Sequence, residues 1–244
     1  LSDDCSPDRT YEIMQEMAAG YDGPHKVVLN RNEPNLGLVP HIDRVMEMVN
    51  GEFIVVNAGD DVSMSERTEK LVGVWLKSDR RAKLVHSAAR RIDESSQLLT
   101  ISLPPRRTIE RPTSATIICE KSHVIGATAA WDRAVYDDFG PLGAGLSTED
   151  RILPFRATLL GSISYLDKAL VHHRIGGISS QLGQLRAWDY LYGISNKLRK
   201  WDLEIDYYIL NALYDQSYPD KASIEAVCRQ RAPGLQFCVD LAEA

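Results

Sequence analysis

The run Phe53-Ile54-Val55-Val56-Asn57 is apolar nearly throughout and leads into two adjacent carboxylates, Asp60 and Asp61. A helical stretch closed by Asn50-Gly51 precedes it, and Ser63 to Ser65 can cap another helix after it. A strand with so little alternation is expected to be buried on both faces, as in a parallel sheet. In such sheets ligands collect outside the carboxyl ends of the strands, where this acidic pair falls. Two hard oxygen donors there suit Mg²⁺ or Mn²⁺, and the natural cargo of such an ion is a diphosphate. An isolated Asp-Asp pair is as readily a solvated acidic turn, so its meaning depends on the rest of the chain.

That chain alternates. Ser6-Pro7-Asp8 predicts a helix start, with Tyr11, Ile13, Met14, Met17 and Ala18 forming its apolar stripe up to Gly20. Lys26 to Asn30 reads as a short strand, and Leu36 to Val49 as a helix whose start Pro40 confines. Phe53 to Asn57 is the next strand and Glu66 to Leu76 the next helix, giving a βαβ pattern and an α/β sheet. Further on, Lys83 to His86, Gln97 to Ile101, Ala115 to Cys119 and Ala127 to Trp131 are strand candidates that add antiparallel or mixed pairing. Glu149 to Leu160 reads as a helix, and Ser162 to Tyr165 and Leu170 to Arg174 as two strands. Beyond a boundary near Ser179, Leu185 to Trp201, Leu203 to Tyr214 and Ser223 to Ala232 read as helices.

With 28 Lys and Arg against 34 Asp and Glu, the net charge of −6 is spread along the chain. Arg80-Arg81, Arg90-Arg91 and Arg106-Arg107 are short and scattered, which argues against a nucleic-acid surface. Cys5, Cys119, Cys228 and Cys238 have neither zinc-site nor disulfide-framework spacing and fit reduced thiols in a cytosolic compartment. No apolar run reaches transmembrane length. A dinucleotide site lacks its Gly-x-Gly-x-x-Gly after a strand, and a phospho-acceptor receiver domain would be about half this length.

Four motifs follow one another in order. They are Ser2-Asp3-Asp4-Cys5-Ser6-Pro7-Asp8; Asn35-Leu36-Gly37; Gly51 to Asp61; and Glu149-Asp150-Arg151-Ile152-Leu153, continuing to Arg156. This ordered set resembles the family 2 nucleotide-sugar glycosyltransferases, whose nucleotide-binding domain has the GT-A fold. The resemblance spans roughly residues 1–178 and implies a mixed, mainly parallel sheet flanked by helices, with a first strand before Leu1. Residues 179–244 would then be a helical C-terminal extension, whose Trp188, Trp201, Tyr207 and Tyr208 suit docking or self-association into a homo-oligomer.

The resemblance also implies roles. Asp4 would contact the base or ribose of the nucleotide, a task suited to a carboxylate that accepts from N–H and O–H groups. Asp61 would meet a Mn²⁺ or Mg²⁺ ion, with Asp60 on the ribose or the ion's water shell. Asp150 would be the general base that deprotonates the acceptor, Glu149 would orient the acceptor or Asp150, and Arg156 would be a structural ion-pair partner. Gly126, Ala127 and Thr128 would line the donor-sugar and acceptor pocket. Many members place a histidine where this chain has Gly176, so one of His172 and His173 would substitute; we assign His173, the alternative being a half-buried structural histidine.

The implied activity is inverting, metal-dependent transfer of a single sugar from a UDP, GDP or dTDP sugar to a glycan, lipid-linked or protein acceptor. It would take place in the cytoplasm, including at the inner face of the membrane. The other reading is a non-catalytic GT-A module that binds nucleotide sugar or glycan, favoured by Ala58-Gly59 in place of the first signature acid and by Gly176.

Overall fold

The computed structural model describes residues 1–103, 112–113, 117, 124–142, 149–150 and 152–176. The expected extension 179–244 and its boundary lie outside the described residues. The described residues divide into two compact units, one of residues 1–50 with 141–142, the other of residues 51–140 and 149 onward.

In the first unit, β1 (Ser2–Asp3) pairs in parallel with β2 (Asn30–Arg31), accompanied by α1 (Thr10–Ala19) and α2 (Leu38–Met48). The strand expected over Lys26 to Asn30 therefore begins only at its last residue. α1 starts later than Ser6-Pro7 suggests, because Asp8 supplies the acceptor for the Thr10 amide at 3.0 Å. α2 is opened by Gly37, whose φ of 81° suits a residue without Cβ. Pro40 falls in the first turn, where its missing N–H costs no intrahelical bond. Val39 and Met46 give this helix its buried face.

The second unit is a six-stranded mixed sheet. Its strands are β3 (Phe53–Val55), β4 (Val62–Ser63), β5 (Ala82–Ile92), β6 (Leu98–Leu103), β7 (Ala129–Asp132) and β8 (Ser162–Arg174), with helices α3 (Arg67–Lys77), α4 (Ala134–Asp137) and α5 (Ile152–Leu160). β5 lies at the centre, parallel to β8 on one edge. On its other edge it is antiparallel to β7 near its start and to β6 near its end. β3 and β4 extend the sheet as antiparallel partners of β7 and β8. This is the mixed α/β sheet flanked by helices that the motifs imply, but it is not mainly parallel: β5–β8 is its one parallel pairing among the described residues, and the other four are antiparallel.

β3 departs in detail from a strand enclosed on both faces. It pairs antiparallel with β7, Phe53 opposite Asp132, and its residues are half-buried. Its apolar side chains are used against α3: Phe53 stacks on Trp75 with ring centroids 4.9 Å apart. Leu71 and Trp75, one turn apart, join Ala82, Val85, Ala130 and Leu170 in the core on that side.

Asp132 anchors this region. Its Oδ2 accepts from Trp75 Nε1 and from Lys83 Nζ, each at 3.0 Å, and its Oδ1 from the Ala134 amide at 3.0 Å. Burial pushes the carboxyl pKa up, but these donors outweigh it and hold the group below the usual carboxylate range. The stability it contributes is thus present above the unfolded carboxylate pKa and is lost as pH falls through the lower folded value. Asp132→Ala leaves a buried indole N–H and a lysine without their acceptor. It is expected to cost about 2–4 kcal/mol at neutral pH by urea denaturation, and less in acid.

Three expectations are corrected. Ser162 to Tyr165 and Leu170 to Arg174 are parts of one strand, because irregularities in the β5–β8 pairing leave Asp167, Lys168 and Leu170 unmatched. Of Ala115 to Cys119, only Ile117 is described, and it is helical rather than extended, its amide donating to the Thr113 carbonyl at 3.0 Å. β-branched composition favours a strand there, but only as a weak preference that context overrides. The helix expected from Glu149 starts at Ile152, and its first turns are buried on every side from Ile152 to Ala157, Pro154 among them.

Candidate active site

After β3 the chain turns, with the Asp61 amide donating to the Ala58 carbonyl at 3.3 Å. Asp60 is exposed, and Asp61 is turned inward. The Asp61 Oδ1 accepts the backbone N–H of Arg174 at 2.8 Å, while its Oδ2 is buried and has no hydrogen-bond partner. Arg174 closes the other side of this turn. Its Nε donates to the Asp60 carbonyl at 2.9 Å, and its Nη1 and Nη2 reach the Asp93 and Glu94 carbonyls and Ser96 Oγ in the turn between β5 and β6. The guanidinium is thereby committed to shaping the acidic loop.

His173 lies next to Arg174 at the end of β8, and its Nδ1 is also buried without a partner. Of the two histidines, His173 is the one within electrostatic reach of Asp61; His172 pairs with Val62 across β4 and β8. Burial raises the Asp61 pKa above the ordinary aspartate value, and Asp60 adds to this, while the Arg174 amide, His173 and Arg67 oppose it. Buried polar atoms are nearly always paired. A carboxylate oxygen and an imidazole nitrogen left open within electrostatic reach of each other fit a divalent cation. Among the described residues no group of three or more His, Cys, Asp and Glu gathers for a metal. The remaining positions would fall to phosphate oxygens and water, the habit of Mg²⁺ and Mn²⁺.

Arg67, at the start of α3, is only 1% exposed. Burial lowers its pKa to about 10, with Asp61 opposing the shift, so it stays charged at neutral pH. Sequence reasoning passed over it, yet a signal was present: Arg67, Leu71 and Trp75 share a helix face at four-residue spacing, which places a cation in an apolar stripe.

Gly126 to Thr128 form a 3₁₀ turn leading into β7, with Thr128 buried. Glu149 and Asp150 occupy the turn before α5, where the Glu149 carbonyl accepts the Ile152 and Leu153 amides. These two segments meet. A Cβ added to Gly126 would lie 2.7 Å from Glu149 Oε1 and 3.1 Å from Asp150 Cβ. The flexible Glu149 tip can move aside, but Asp150 must give by a few tenths of an ångström. With Asp150 as the base that the family resemblance implies, Gly126→Ala is expected to cost little stability and about ten- to a hundredfold in turnover, since small displacements of reacting groups weigh heavily. Arg156 donates to the Gly140 carbonyl at 2.8 Å and lies over the Phe139 ring, a buried strut for α5.

Asp4 belongs to the first unit. Its Oδ1 accepts from Asn32 Nδ2 at 2.8 Å and the Leu36 amide at 2.9 Å, and its Oδ2 from the Gly37 amide at 2.8 Å. Burial works against the charge, but these donors hold its pKa below the ordinary value. Asp4 thus fixes the Asn35-Leu36-Gly37 loop and keeps spare lone-pair capacity for a ligand. Asp3 turns inward instead, accepting the Ser6 amide and facing Arg31.

Residues 1–139 match the family model described as Glycosyl transferase family 2. The chain belongs to that family. Solved structures show the same fold: S. aureus TarS 1-349 superposes with a TM-score of 0.61 at 15% identity, over 93% of this chain and 58% of that one. TarS 1-349 in complex with UDP-GlcNAc gives 0.59 at 18%, over 93% and 60%. The mannosyltransferase PcManGT from Pyrobaculum calidifontis, in complex with GDP-Man and Mn²⁺, gives 0.59 at 14%, over 99% and 64%. This family 2 chain thus spans between 58% and 64% of these proteins' lengths. Comparison with curated proteins gives no match. No helix among the described residues is long and apolar enough to cross a membrane, and Cys5 is a free thiol. The other cysteines lie outside the described residues.

Proposed function

We propose that this chain is an inverting, metal-dependent glycosyltransferase that moves one sugar from a nucleoside diphosphate sugar to a hydroxyl of a glycan, lipid-linked or protein acceptor. The observation that carries the metal part is the pair of open buried atoms, Asp61 Oδ2 and His173 Nδ1. A Mn²⁺ or Mg²⁺ ion held there would act as a Lewis acid on the departing diphosphate. UDP-GlcNAc and GDP-Man in the two solved relatives support a nucleotide-sugar donor.

The remaining roles are those the family resemblance implies, and the side-chain chemistry suits them. Asp4 accepts a hydrogen bond from the base or ribose, and Asp60, exposed beside Asp61, meets the ribose or the ion's water shell. Asp150 takes the proton from the acceptor hydroxyl as its oxygen attacks the anomeric carbon opposite the leaving diphosphate. One displacement from that face inverts the anomeric configuration. Glu149 orients the acceptor, and the Gly126-Ala127-Thr128 turn forms the floor on which Asp150 rests. The chain would act in the cytoplasm, at the inner membrane face when its acceptor is lipid-linked.

The test is calorimetric titration of UDP, GDP and dTDP with Mn²⁺ and with EDTA, followed by release of sugar from UDP-GlcNAc and GDP-Man. Nucleotide binding that requires Mn²⁺ and donor turnover are expected. Equal affinity in EDTA would sink the metal role. Tight binding with no turnover, even with candidate acceptors, would mark a non-catalytic module.

A further inference from the structure

We propose that Arg67 is a positioning residue that braces the metal-binding loop against the substrate-pocket turn. One side of its guanidinium holds the acidic loop: Nη1 donates to Asn57 Oδ1 at 3.2 Å and to Ser63 Oγ at 3.3 Å, and these residues bracket Asp60 and Asp61. The other side holds the pocket: Nη2 donates to the carbonyls of Ala127 at 2.9 Å and Ala129 at 3.4 Å, which bracket Thr128. The inference rests on the reading of Asp61 as a metal ligand.

A buried cation is costly, and none of these hydrogen bonds is to a carboxylate; Nε has no acceptor at all. An apolar residue would complete the Leu71–Trp75 face more cheaply. What an apolar residue lacks is a rigid fork of donors that can grip two loops at once. Lysine, a single flexible ammonium, cannot span the same acceptors. The permanent charge has a second effect, since it lies within electrostatic reach of Asp61 and opposes the burial that disfavours its ionised form. Because Gly126 in turn lies against Glu149 and Asp150, the brace links the loop that would hold the ion to the residues that would take the acceptor's proton.

Two measurements on the full chain test this, in wild type, Arg67→Lys and Asn57→Ala. The first is amide hydrogen exchange at Asp61 and Thr128, whose N–H groups bond to the Ala58 and Ile125 carbonyls. Arg67→Lys is expected to speed exchange at least about tenfold at both amides together while Leu71 to Lys77 stay protected. Asn57→Ala, which loosens one end only, should act mainly on Asp61. Unchanged exchange in both variants overturns the brace. If Arg67→Lys unfolds or speeds exchange throughout, Asn57→Ala alone decides, and a uniform or absent response there counts equally against it. The second measurement is UDP affinity with Mn²⁺ and with EDTA. A loss of about tenfold in Mn²⁺ with unchanged affinity in EDTA is expected for Arg67→Lys, and equal losses in both media would reduce Arg67 to a packing role. If wild type shows no Mn²⁺-dependent UDP binding, the proposed function fails, while the exchange result still decides the brace.

Discussion

Asp150→Asn is expected to lower turnover by on the order of a hundred- to ten-thousand-fold while nucleotide affinity stays within a factor of about two. Asparagine keeps the size and most hydrogen bonds of the side chain but cannot take a proton. Asp150 sits in the turn ahead of α5, whose first turns are wholly buried, so the exchange should leave the backbone in place. Glu149→Gln serves as the control: it changes an adjacent carboxyl in the same turn, and its effect should be milder. The check is transfer rate and nucleotide affinity for both variants. Near-normal turnover in Asp150→Asn would remove it as the base, and lost nucleotide binding would recast it as a support for the fold.

Asp61→Asn should separate binding from stability in opposite directions. Loss of a direct ligand should weaken Mn²⁺-dependent nucleotide binding by about a hundredfold or more, since even outer-shell changes cost about ten- to a hundredfold. The fold should respond the other way. Burial raises the Asp61 pKa, so the native state holds the proton more tightly than the unfolded chain does. Stability from this group is therefore greatest at low pH and is lost as pH rises through the folded value. At neutral pH the charged carboxylate is a burden on the fold, which asparagine removes while keeping an oxygen for the Arg174 amide. A melting temperature equal to or above wild type is expected without metal. By the same shift, metal-dependent binding in wild type should begin to fail in acid at a higher pH than for an ordinary aspartate. A variant that melts well below wild type would show that Asp61 supports the loop rather than straining it.

Much of this was legible locally. The apolar run at Phe53 and the Leu71–Trp75 face are short-range patterns, and the fold uses both, stacking Phe53 on Trp75. The acidic pair, Asp150 and Gly126 could be picked out by motif and order. What a sequence does not display is which atoms are left open after packing. That Asp61 Oδ2 and His173 Nδ1 lack partners, while the neighbouring Arg174 is fully occupied, depends on how a turn, a strand end and a hairpin meet. Arg67 escaped for a related reason, because a charge on a helix is read as solvated unless its face is known to be covered. The split of β8 into two expected strands came from Asp167-Lys168, a polar step that three-dimensional pairing absorbs and a linear reading interprets as an end.

That absorption bears on how the protein tolerates change in length. β8 is preceded by Gly161, where an added Cβ would lie 2.4 Å from the Arg81 carbonyl oxygen, so this end is pinned. The other end is pinned separately by the bonds Arg174 makes to the Asp60, Asp93 and Glu94 carbonyls. Between them β8 carries residues that β5 does not match, gathered around Asp167 and Lys168. The strand thus behaves as a strap with slack between two buckles. A one-residue insertion or deletion in that middle should be taken up there, leaving the orientation of His173 unchanged, whereas one placed between Val171 and His173 would turn the histidine to the opposite face.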